Sequence, residues 1–183
     1  MVFEGRIEFV KIHFFCRISE RHALSLLTHR HYIKFGCPFG QINLETEMRH
    51  TFSKQDMEFA SSFKAGTIQP GEFGHKEHLR LAFIYLCEGD AKTATDGMRT
   101  SLRQFLKANS ISDQKYHETL TRAWVLAVRH FMRSTKGASS FEGFLSKNER
   151  LLRPDLLLSH YSTTTLFSEK ARGHFVIPDL QPF

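Results

Sequence analysis

From Ser53 onward the apolar residues recur at intervals of three and four, and residues that start or stop helices fall between the runs. Ser53 is placed to cap a helix reaching about Lys64, with Asp56 in its first turn and Gly66 ending it. Gln69-Pro70-Gly71 reads as a turn, and a helix follows from about Gly74 to Glu88, stopped by Gly89. Asp90 caps the next helix, striped by Ala91, Ala94, Met98, Leu102 and Phe105 and closed by Asn109 and Ser110. The spacing predicts the longest helix from Asp113 to about Ser134, carrying His117, Thr121, Trp124, Val128 and Phe131 on one stripe. Ser139 and Glu142 have capping-box spacing around Phe141, ahead of Phe144 and Leu145. Pro154 suits the first position of a helix through Leu156 to His160, and Ser168 to Gly173 reads as a last short turn.

No strand pattern competes after Met48, so the expected fold is all-α: one bundle-like domain of five or six helices over residues 48–183. Residues 1–47 sustain neither period and are expected to be a loosely ordered extension, or a segment upstream of the true start at Met48.

Composition narrows the function classes. A chain of 183 residues has room for one core, and 41% hydrophobic with 24% charged residues is ordinary for a globular protein. The net charge of +6 permits an acidic partner, but the basic residues are scattered among acids and form no block interleaved with aromatics. Nucleic acid is therefore not the expected partner. Cys16, Cys37 and Cys87 form no CxxC pair, which argues against a disulfide framework or a thiolate zinc site. No apolar run reaches the ~20 residues of a membrane span, and no signal-type core opens the chain, so the expected setting is cytoplasmic.

The candidate chemistry lies in the histidines. His75 and His78 are three apart and share a helical face that continues into Ala82. His117 heads the stripe ending in Phe131, and His160 follows Leu156 and Leu157. A helix start disfavours imidazolium and holds the ring neutral, the form that binds zinc, iron or copper. With one helix between them, the helices near Gly74 and Asp113 run parallel, bringing His75, His78 and His117 to one end of the bundle. His160 joins them if its own helix runs the other way. Glu118 and Glu77 are the candidate general bases beside these rings, and Tyr161 a candidate hydrogen-bond donor.

These same residues resemble a family of small uncharacterised bacterial proteins. The similarity rests on His75 to Leu79, on Tyr116 to Thr119 followed by Trp124, and on Leu157 to Ser162, and it spans Phe52 to Pro182. The family's Trp-Thr ahead of the first histidine is Phe73-Gly74 here, which removes a hydroxyl at position 74. The resemblance brings no reaction with it.

Two readings follow. In the first, His75, His78, His117 and His160 ligate a single transition metal in a hydrolase or oxidoreductase acting on a small molecule. In the second, the chain is a non-catalytic helical binding or interaction module whose histidines are hydrogen-bonded helix-start residues.

Overall fold

The computed structural model describes residues 49–183. The expectation for residues 1–47, with His13, His22, His29 and His31, lies outside the described residues. Within them the fold is all-α, built on α1 (Lys54–Lys64), α2 (His75–Glu88), α3 (Ala91–Ala108) and α4 (Glu118–Ser134). Three short helices complete it: α5 (Phe141–Leu145), α6 (Thr163–Leu166) and α7 (Glu169–Gly173), with short 3-10 segments in the connections. No helix of the described residues is long and apolar enough to cross a membrane.

Helices α2, α3 and α4 pack against one another, with α1 against α2 and α7 against α4. Side chains fix the directions. Phe73, just before α2, lies 5.9 Å from Phe105 near the end of α3, so those helices are antiparallel. His75 at the start of α2 meets Trp124 of α4 at 4.5 Å, as parallel helices require. The starts of α2 and α4 and the end of α3 therefore share one end of the bundle.

Two aromatic clusters fill the interior. Phe63, Phe73 and Phe105 stack or tilt together with centroids 4.7 to 6.1 Å apart. Phe83 stacks on Phe144 at 5.0 Å and tilts against Phe141 at 5.9 Å. His50 sets its ring edge-on to Phe83 and Phe144, accepts from Ala138 N through Nδ1, and donates from Nε2 to the Met132 carbonyl. It thereby ties the segment before α1 to the last turn of α4 and to the link that follows it.

The capping chemistry largely follows the sequence expectations, with three corrections. Ser53 and Asp56 form a reciprocal capping box, and Asp90 accepts from Thr93 N at 2.7 Å. The long helix, however, starts at Glu118 rather than Asp113. Residues 113–115 make a separate 3-10 turn capped by Ser112, and Tyr116 and His117 are extended. That extended step tucks the Tyr116 ring beneath the Arg103 guanidinium, 4.7 Å away, which a continuous helix would not allow. Ser140, not Ser139, caps α5, accepting from Gly143 N at 3.1 Å. The segment after Pro154 is 3-10, with bonds such as Leu156 N to the Arg153 carbonyl.

Helix α3 ends in a Schellman motif. Ile111 N donates to the Leu106 carbonyl and Ser110 N to the Lys107 carbonyl, with Ser110 left-handed at φ 55°. A left-handed non-glycine residue carries a steric cost of ~1 kcal/mol. Ser110→Gly is therefore expected to raise the unfolding free energy by about 0.5–1 kcal/mol in urea titrations; an unchanged or lower midpoint would contradict the motif.

Residues 174–183 run back over the bundle as a strap. Thr119 Oγ1 donates to the His174 carbonyl and accepts from Val176 N, and the Arg122 guanidinium covers the Phe175 ring at 3.9 Å. Asp179 accepts from Ser162 N, Ser162 Oγ and Thr165 Oγ1 at 2.6 to 2.9 Å. Leu180 N donates to the His160 carbonyl.

Candidate functional site

The four candidate imidazoles each bond to backbone. His75 donates from Nε2 to the Leu151 carbonyl at 2.8 Å, and its ring meets the edge of Trp124. His78 donates from Nδ1 to the Gly74 carbonyl at 2.7 Å and lies 4.3 Å from the Phe73 ring. His117 is the N-cap of α4: its Nδ1 accepts from Leu120 N at 3.3 Å. His160 donates from Nδ1 to the Gln181 carbonyl at 2.8 Å and stacks on Phe183 at 4.2 Å.

Topology thus brings the starts of α2 and α4 to one end, as the sequence suggests, but with an axial offset. His75 faces Trp124 rather than His117, and seven residues of helix rise put these two about 10 Å apart along the axis. His160 is bound to the strap instead, through the Gln181 carbonyl and the Phe183 ring. Among the described residues, no group of three or more His, Cys, Asp or Glu side chains is placed to hold a metal ion.

Protonation follows from these bonds. Burial lowers His75, and burial pushes His78 down to about 4 against the opposing effect of the Gly74 carbonyl. Burial, with Arg172 nearby, also brings His117 to about 4. All three rings are therefore neutral near pH 7. In His117 the lone pair of Nδ1 takes the Leu120 amide, so the neutral ring carries its proton on Nε2. The Leu166 carbonyl beside the buried His117 ring works against that lowering, and Trp124 Nε1 is buried with no hydrogen-bond partner among the described residues.

The sign of the pH dependence is fixed by these directions. An unfolded histidine titrates near 6.5, so between that pH and about 4 the unfolded chain binds more protons than the folded one. Stability is expected to be fully present above pH 6.5, to fall on acidification towards pH 4, and to draw no further loss from these groups below it. Denaturant midpoints at pH 7, 5.5 and 4.5 measure this. His117→Asn, which keeps a capping oxygen without a titrating ring, should flatten the slope; an unaltered slope would remove His117 from the account.

The three candidate acid–base side chains are engaged too. Glu77 turns back to accept from Gly74 N at 2.9 Å, closing the start of α2 where glycine offers no capping side chain. Glu118 is buried, accepting from Arg99 Nε at 2.8 Å and Nη2 at 2.5 Å and from the Tyr116 hydroxyl at 2.9 Å. The Arg99 fork holds its carboxyl below the usual range despite burial. Tyr161 is fully buried and donates to the Val176 carbonyl at 3.0 Å; burial pushes its hydroxyl up to about 12.

Sequence reading missed Arg99 as the partner of Glu118 and Arg80 as the partner of Asp56. Both pairs join residues on different helices, 19 and 24 positions apart, and no local period marks them. It also missed a groove of ≈ 400 Å³ at the end of α3, lined by Arg103, Gln104, Leu106, Lys107, Ile111 and Asp113. Comparison with protein-family models, with curated proteins and with solved structures returns no match for this chain.

Proposed function

We propose that this protein is a non-catalytic helical binding module, in which the histidines fasten helix starts and loops to neighbouring backbone. The observation that carries the reading is His117: its unprotonated nitrogen is spent on the Leu120 amide, so the cap and a metal bond exclude one another in the neutral ring. The engagement of Glu118 by Arg99 and Tyr116, and of Tyr161 by Val176, supports it from the side of acid–base chemistry.

A metal-dependent hydrolase or oxidoreductase is the second reading, favoured by one observation. His75 and His78 share the first turn of α2, and their environment keeps both rings neutral. Each has one nitrogen donating to a carbonyl, as metal-bound histidines commonly do. Zinc, iron or copper would be the ion.

Metal analysis of the purified full chain, free of any tag, separates the two. The binding-module reading expects less than about a tenth of an ion per chain, and thermal stability unaltered by chelator. Near-stoichiometric zinc, iron or copper, lost in His78→Ala, would replace it with the second reading.

A further inference from the structure

Building on the binding-module reading, we infer that the groove at the end of α3 binds a small apolar monocarboxylate. Its floor is made by the chain reversal itself. The Schellman motif that ends α3 bonds Ile111 N to the Leu106 carbonyl and so sets the partly exposed Ile111 over the buried Leu106. Along the rim, Arg103 and Lys107 lie four apart on α3 and rise from the same side of the helix. Their aliphatic stems extend the apolar wall while their charged ends stand at the water boundary. A volume of ≈ 400 Å³ falls within the ~300–1,000 Å³ typical of small-molecule sites.

Charge selects the ligand class. Arg103 is held in place over the Tyr116 ring and lies 3.9 Å from the Asp113 carboxylate, a loose pair. Two cations thus face one acid, and the C-terminal end of α3 adds a partial negative charge of about half a unit. The balance remains positive but below one full charge. It favours a single carboxylate and disfavours a phosphate carrying two charges. The apolar floor calls for an aryl or alkyl body rather than a sugar or a polyol.

The test uses the full-length protein and 2-naphthoate, with uncharged 2-naphthamide and doubly charged 2-naphthyl phosphate as comparisons. Titrations are read by methyl NMR and calorimetry. Saturable shifts are expected at the Leu106 and Ile111 methyls. The naphthoate should bind about two- to fivefold tighter than the amide, the range expected of exposed charge pairs. Lys107→Ala should erase most of that preference, and Asp113→Asn should tighten naphthoate binding by roughly twofold. Both positions are exposed, so neither change threatens the fold. Equal binding of amide and naphthoate overturns the inference, as does tighter binding of the phosphate or the absence of shifts at Leu106 and Ile111. A metal-free protein that ignores 2-naphthoate sinks this inference and leaves the binding-module reading standing. Stoichiometric metal removes that reading instead.

Discussion

Replacing Asp56 by alanine is expected to lower the unfolding free energy by about 3 kcal/mol, at the low end for one member of a buried ion pair because Arg80 keeps some contact with solvent. The Asp56 side chain is only 1% exposed, and its carboxylate accepts from Ser53 N, Ser53 Oγ, Phe141 N and Arg80 Nε. Removing it therefore uncaps α1, strands the amide that opens α5, and leaves Arg80 of α2 half-buried with no counter-charge. Arg80 also covers the Phe59 ring at 4.7 Å, so its displacement disturbs the outer face of α1. Arg80→Ala should cost less, about 1–2 kcal/mol, because Asp56 retains its bonds from Ser53 and Phe141. Urea unfolding of the two variants tests the order; equal losses would mean that the ion pair alone matters.

Acid titration gives the same site a second readout. Burial raises the Asp56 carboxyl, but the bonds from Ser53, Phe141 and Arg80 outweigh it and bring the group below its ordinary value. A depressed folded value means that the contribution is present above the unfolded carboxyl range and lost as pH falls through the folded value. In Asp56→Ala this step should disappear from the acid limb of the stability curve.

Phe73→Ala is expected to cost about 3–5 kcal/mol, the range for truncating a fully buried phenylalanine. Phe73 sits where the chain enters α2 and touches Phe63, Phe105 and His78, so the cavity would open at the junction of three helices. The loss also removes the apolar cover from His78. Its imidazole should then titrate well above about 4, moving towards 6.5, as followed by the ring-proton shifts. Phe73→Leu keeps a cover and should leave the titration low. A His78 that stays low in the alanine variant would show that burial by groups other than Phe73 sets its environment.

Local signals made most of the fold legible. Ser53, Asp90 and Gly89 act at the boundaries that their chemistry implies, since a cap needs only neighbouring amides. The start of α4 was not legible, because Asp113 has the same capping chemistry as a true helix start. What displaces the boundary to Glu118 is the Tyr116 ring beneath Arg103, a contact between different elements. The candidate site divides the same way. Spacing places His75 and His78 on one turn, and the order of helices places His117 at the same end. It does not give the axial offset that sets His75 against Trp124, nor the hydrogen bond that decides which nitrogen of His117 keeps the proton.

The strap over residues 174–183 carries a consequence for how this part of the molecule responds to change. It has no helical ladder of its own, yet it is pinned to the first turn of α4 through Thr119 and to the His160–Thr165 stretch through Tyr161, Ser162 and Asp179. Rigidity there comes from individual side chains rather than from a repeating backbone pattern. Substitutions in this stretch therefore act like the removal of single rivets: each loosens a wall of the molecule, and the polar anchors matter more than the exposed apolar Ile177 and Leu180 between them.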